Sequence, residues 1–188
     1  MLRYMKEYRK YVDITGYQDV SFDKAESFLK ANRKHNPQDV SIQFFDAELI
    51  ATQEHLYFAI LNTLEAFKNK TNVSKSPAME TMLYSSAQRQ IQRAIDRCGI
   101  KPQTTKMAVI LIGEDPGEIE LAVKEIAKTV GAEPDISVLE MTKDKEEKII
   151  KAFEITEEEL RTVMKVNRRE KAIVNLVIER VALLSTQL

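Results

Sequence analysis

The amino-acid sequence predicts a single α/β domain with a small mixed β-sheet and several helices packed around it. Three observations carry that expectation. The run Lys106–Ile112, with Met-Ala-Val-Ile-Leu-Ile after the lysine, is apolar and long enough to be central in a sheet. Elsewhere apolar residues recur at helical spacing. Several of those helical stretches follow one another with no strand between them, which speaks against a doubly wound nucleotide fold. The 188 residues suit one domain over 1–188, with the first ten as a mobile terminus.

Hydrophobic (44%) and charged (30%) fractions are those of a soluble globular chain. A net charge of −1 provides no global basic field, so any polyanion site must be a local patch. The single Cys98 excludes an intrachain disulfide and most cysteine metal sites, and reads as a small buried hydrophobe. No apolar run reaches transmembrane length and the N-terminus lacks a signal-peptide core, so a cytoplasmic protein with no membrane partner is expected.

In chain order, Met1–Lys10 interleaves cations with tyrosines, which suits single-stranded nucleic acid or a mobile terminus with a strand-edge tyrosine. Tyr11–Thr15 reads as a strand that Gly16 breaks. Ser21 caps a helix over Phe22–Lys34, with Phe22, Ala25, Phe28 and Leu29 on one face, and His35-Asn36-Pro37 ends it. Val40–Asp46 reads as a mainly buried strand with Ile42 and Phe44 on one face. Thr52–Lys68 is a helix with a core stripe of Leu56, Ile60, Leu64 and Phe67. His55 lies one turn in, with no second ligand four residues away to form a metal pair. Lys68, Lys70 and Lys75 mark a polar linker, either a solvated connection or a set of phosphate contacts. Ser76-Pro77 then starts a helix as N-cap and N1, with Glu80 in its first turn.

The chain is organised around Leu83–Gly99, LYSSAQRQIQRAIDRCG. Ile91, Ala94, Ile95 and Cys98 share one helical face, and Gly99 suits the position after a helix end. Arg89, Arg93 and Arg97 fall at i, i+4 and i+8, a stripe that Asp96 neutralises only in part. Such a stripe is either a solvated charged face or an arginine comb for phosphate or carboxylate. Ser85-Ser86 sits at a helix junction, with no histidine base placed by the sequence to activate either hydroxyl.

Beyond the central strand, Asp115-Pro116-Gly117-Glu118 is a capped helix start, matching neither G-x-G-x-x-G nor a Walker A loop. Its helix turns Ile119, Val123, Ile126 and Val130 inward and stops at Gly131. Asp135–Met141 suits a short strand. Thr142 caps a helix over Lys143–Phe153, and Thr156 with Glu159 forms a capping box for a short acidic helix. Asn167–Leu184 is a long helix whose broad face, Ile173, Leu176, Val177, Arg180, Val181 and Leu184, permits core packing and a partner surface.

The run Leu83–Ile91, followed by Ala94-Ile95 and Gly99-Ile100, resembles the signature of the smallest common KEOPS subunit, the family of the PRPK-binding protein and its archaeal relatives. Phe44-Phe45-Asp46-Ala47, the spaced Ala51-Thr52, His55-Leu56 and Ala59, then Glu80 and Glu179–Leu184 extend the resemblance in the same order, from about Ile14 to the end. Ala87 stands where many members carry Gly, which implies a less sharp turn. The resemblance implies a non-catalytic regulatory subunit without a cofactor. It would bind the small lobe of the KEOPS kinase-ATPase, stimulate it, and hold the 3′ CCA end of tRNA. The product of the complex is threonylcarbamoyladenosine next to the anticodon, with the transferase chemistry in another subunit. Joined to the residue reading, it implies a tRNA-binding set of Arg89, Gln90, Arg93, Gln88, His55, Lys68, Lys70 and Lys75. The kinase-binding set is Leu176, Val177, Arg180 and Leu184, and other KEOPS subunits are reached indirectly. The residues themselves show no metal cluster, no nucleophile with a base and no phosphate loop, so an interaction protein follows better than an enzyme. A free-standing small-molecule-binding regulatory domain, marked by a pocket between sheet and helices, is the alternative. An enzyme with a thinly spread site would need convergent titratable groups.

Overall fold

The last β-strand of the chain, β4 (Met107–Gly113), sets the layering, because it is buried along its whole length. The computed structural model describes residues 2–34, 40–164 and 168–186. In it β4 is hydrogen-bonded on one side to β2 (Lys10–Tyr17) and on the other to β3 (Ser41–Asp46), and β1 (Arg3–Met5) pairs with the outer edge of β2. All three ladders are antiparallel, which corrects the mixed sheet expected. The helix α1 (Phe22–Lys34) carries the chain from β2 to β3, which run the same way but do not pair. β4 enters between them in the opposite direction, so no two parallel strands touch.

Alternation along β4 feeds two cores. Ala108, Ile110 and Ile112 join Val12, Ile14 and Phe45 on one face, while Met107, Val109 and Leu111 join Ile42, Phe44 and Tyr17 on the other. The second face is covered by α1 and α5 (Pro116–Val130) through Ala25, Leu29, Ile119 and Ile126. The first face carries a thicker layer of α2 (Gln53–Asn69), α3 (Pro77–Ser86), α4 (Ile91–Cys98), α6 (Lys143–Ala152), α7 (Glu157–Met164) and α8 (Arg169–Leu183). Leu56, Ile60 and Leu64, each four residues apart, aim one edge of α2 into this core. Each such side chain contributes roughly 1.5–3 kcal/mol by leaving water. Among the described residues no helix is long and apolar enough to cross a membrane.

Helix starts follow the caps read from sequence. Asp115 accepts from the Glu118 amide at 3.0 Å, and Thr142 from Lys145 at 3.3 Å. Thr156 and Glu159 close their box in both directions, at 3.2 and 2.7 Å. Three local expectations are corrected. Part of the supposed mobile terminus is β1. Gly16 does not break its strand: it lets the chain at Asp135–Val138 press against β2, where an added Cβ would stand 2.1 Å from Val138 Cγ2. Asp135–Met141 is not a strand but holds a 3₁₀ turn over Ile136–Leu139, since Asp135 accepts from the Ser137 amide and closes the chain locally. The expected helix stop at His35-Asn36-Pro37 and the helix start at Asn167 lie outside the described residues.

Leu83–Gly99 is two helices, and the junction expected at Ser85-Ser86 falls just after those serines, at Ala87. Ala87 adopts the left-handed conformation (φ 50°, ψ 43°), and the Gln88 amide bonds back to the Leu83 carbonyl at 3.0 Å, which ends α3. The turn is as sharp as a glycine would make it, at the steric cost of a Cβ. Ala87→Gly should therefore stabilise the fold by about 1 kcal/mol in chemical denaturation, and a loss of stability would contradict this geometry.

Candidate functional site

The turn at 87–90 is held from behind by a buried imidazole. His55 is fully buried, three residues into α2. Its Nδ1 accepts from the Ala51 amide at 3.1 Å, and its Nε2 lies 2.8 Å from the Ser85 carbonyl. An amide only donates and a carbonyl only accepts, so the ring is neutral with its proton on Nε2. Burial pulls its pKa down to about 4, against the smaller upward pull of the Ser85 bond. The ring also meets Phe153 edge-on at 5.6 Å. Ser85 and Ser86 donate their hydroxyls to carbonyls within α3, so neither faces His55 as a nucleophile.

Two clefts open on either side of the turn. The larger, about 670 Å³, runs between α4 and α6. Arg93, Arg97, Lys101, Lys148 and Lys151 supply five cations to it, against the carboxylates of Asp96 and Glu154. Leu49 and Ala152 add an apolar wall. Arg97 donates to the Ser86 carbonyl at 3.0 Å and lies over the Phe153 ring at 5.6 Å. Glu48 grips Lys148 at 2.7 Å and Lys106 at 3.2 Å; burial pushes its carboxyl up, yet these bonds leave it below the usual carboxylate range. Lys145, almost wholly buried, ties α6 to the 136–139 turn through the Val138 and Glu140 carbonyls, and burial brings its pKa down to about 8. The smaller cleft, about 160 Å³, is bordered by Arg89, Tyr84 and Leu184 with Thr71 and Val73 of the lysine linker. Here the buried Glu80 accepts from the Val73 and Ser74 amides at 3.2 and 2.6 Å and so fixes the linker.

The structure divides the residues that sequence grouped together. Arg89 precedes α4 and is no part of a comb. It stands with the Lys70–Lys75 linker at the smaller cleft, whereas Gln88 and Arg93 line the larger one and Gln90 occupies the N-cap position of α4 between them without a side-chain capping bond. Lys68 is drawn off to Glu7 at 2.5 Å, where its charge is partly neutralised. His55 cannot present a side chain to RNA, because it reaches no solvent and both ring nitrogens are used inside the protein. Of the kinase-binding set, Leu176, Val177 and Leu184 are buried, and Arg180 Nη2 donates to both Glu159 carboxylate oxygens at 2.9 and 3.1 Å. Ile91, expected on the inner face, is 44% exposed at the first position of α4, whose inner face is held by Ala94 and Cys98. Lys101, Lys148 and Lys151 escaped the sequence reading, since they lie in charged stretches whose spacing to Arg93 only the fold defines. The larger cleft is walled by helices and turns, not by sheet and helices, unlike the pocket that marked the small-molecule alternative.

Fold and clefts together define an α/β domain with a locally cationic cleft on a chain of near-zero net charge. The family model described as "Kinase binding protein CGI-121" matches residues 17–185, and the chain belongs to that family. It is 35% identical over 116 residues to the "Regulatory protein Cgi121" of Methanocaldococcus jannaschii, an alignment covering 62% of this chain and 72% of the relative. The KEOPS-subunit resemblance carried by Leu83–Gly99 and its flanking blocks is thereby borne out as a family assignment.

Two outcomes test the scaffold. A histidine whose folded pKa lies below its unfolded value near 6.5 stabilises the fold above pH 6.5 and loses that contribution as pH falls toward about 4. Stability should therefore drop by up to roughly 3 kcal/mol across that window, a drop absent from His55→Ala. Val177→Glu should unfold the chain by placing an unpaired charge in the core, so circular dichroism should collapse before any binding is measured.

Proposed function

We propose that this chain is the non-catalytic regulatory subunit of a cytoplasmic KEOPS complex. In this reading it binds and stimulates the kinase-ATPase and recruits tRNA through its 3′ CCA end for threonylcarbamoyladenosine modification. The observation that carries the reading is the family match over residues 17–185. The relative's designation as a regulatory protein supports the non-enzymatic part. For the kinase, α8 exposes the large apolar side chain of Leu183, 46% exposed, with Glu179 and Ala182 also exposed, in place of the buried residues of the same helix.

For tRNA, the exposed Arg89 and Gln90 sit in the 87–90 turn with Gln88, Arg93 follows in α4, and the exposed Lys70 and Lys75 belong to the linker whose Thr71 and Val73 share the smaller cleft with Arg89. Cations there meet phosphates, while Gln88 and Gln90 offer both donors and acceptors to the edges of unpaired bases. Losing one phosphate contact should lower the log–log salt slope by roughly 0.7 to 0.9. Wild type should bind whole tRNA more tightly than tRNA lacking its last three nucleotides, and Arg89→Ala should erase most of that difference. Equal binding of the two tRNAs by wild type would refute the CCA reading. The kinase half is checked by co-purification: Leu183→Glu should weaken capture of the kinase while the circular dichroism stays native.

A further inference from the structure

We propose that the cleft between α4 and α6 is a phosphate-binding site that lies beside the Arg89 patch and shares Gln88 and Arg93 with it. Its ligand is a row of phosphate groups, as in an RNA backbone or the polyphosphate of a nucleotide. For the RNA source the proposal rests on the tRNA reading above; for the nucleotide source it stands apart from it. The first ground is charge that is not used up. Among the described residues Arg93, Lys101 and Lys151 form no ion pair, and they come from α4, the loop after it and α6. Of the two carboxylates of the cleft, Glu154 is paired with Arg97 at 3.4 Å, while Asp96 accepts only from the neutral Gln92 amide at 2.8 Å and keeps its charge. Three cations without an ion pair therefore face one unpaired carboxylate, which leaves the cleft net positive on a chain whose net charge is −1.

The second ground is a prepared wall. The Ser86 carbonyl and the Phe153 ring hold Arg97 in place, and Glu48 holds Lys148, so the side chains at the base of the cleft are set before any ligand arrives. A volume of about 670 Å³ admits a nucleotide or a short stretch of backbone. The apolar wall of Leu49 and Ala152 can take a ribose or base face. Cations from three elements, two of them lysine point charges, suit several successive phosphates better than one planar carboxylate.

The full chain is titrated with two probes, tRNA lacking its last three nucleotides and ATP, across a salt series. Wild type is compared with Lys101→Ala/Lys151→Ala and with Lys70→Ala/Lys75→Ala, and thermal melting confirms each fold. Should the alanine pair melt early, Lys101→Gln/Lys151→Gln replaces it. The cleft variant should lose about tenfold in affinity for at least one probe at 0.1 M salt, with its log–log slope lowered by about 1.5 when that probe is the RNA. The linker variant should leave ATP binding unchanged. Loss confined to the truncated tRNA identifies the backbone as the ligand, and loss for ATP identifies a nucleotide. Wild-type binding of both probes by the cleft variant overturns the proposal. ATP binding that needs Lys101 and Lys151, with no binding of any tRNA, would sink the RNA reading and leave the cleft site standing. CCA-dependent tRNA binding that ignores both lysines, with no ATP binding, would do the reverse.

Discussion

The neutral imidazole of His55 is the contact on which the recognition surface depends. It joins the chain before α2 to the end of α3 through one accepted and one donated bond, and it seats Phe153 against the same spot. Ala51 and Ser85 are thereby held at a set distance. The turn at Ala87 follows two residues later, with Arg97 reaching back to Ser86. A buried polar group with both its sites satisfied specifies one arrangement of its neighbours, since any slip leaves a donor or acceptor unpaired away from water. The helix ends that frame both clefts inherit that register.

This explains why the residues that identify the family are largely interior. Phe44, Phe45, Ala47, Ala51, His55, Leu56 and Ala59 are buried, as are Glu80, Tyr84, Ser85 and Ser86. They build the junction of α2, α3 and β3, and the exposed Arg89 and Gln90 sit on top of it. The tail block behaves in the same way. α8 reads as broadly apolar because it packs against α2 and α3, so its Leu176 and Val177 belong to the core that an interaction surface needs beneath it.

Charge follows a comparable division. Near-zero net charge hides a local separation of sign: α7 opens with Glu157, Glu158 and Glu159, while the cleft at α4 and α6 gathers lysines and arginines. Burial and pairing decide which of those charges remain available. Glu48 occupies Lys148 and Glu7 occupies Lys68, whereas Lys101 and Lys151 have no such partner among the described residues.

Periodicity and capping chemistry are local, and for that reason the sequence by itself determined most helices, the strand Met107–Gly113, the caps at Asp115, Thr142 and Thr156, and the family. The sequence places a helix junction beside Ser85-Ser86, but it could not show how sharp the turn at Ala87 is, because an alanine gives no local sign that tertiary contacts hold it at positive φ. Nor could it show that β4 inserts between β2 and β3, since strand order depends on contacts between residues far apart in the chain. The same limit governs the site. Arg89 and Arg93 are four residues apart yet border different clefts, whereas Arg93 and Lys151, 58 residues apart in number, line one. Only tertiary structure decides such neighbours, because side-chain proximity across a fold is set by how helices pack and not by any repeat along the sequence.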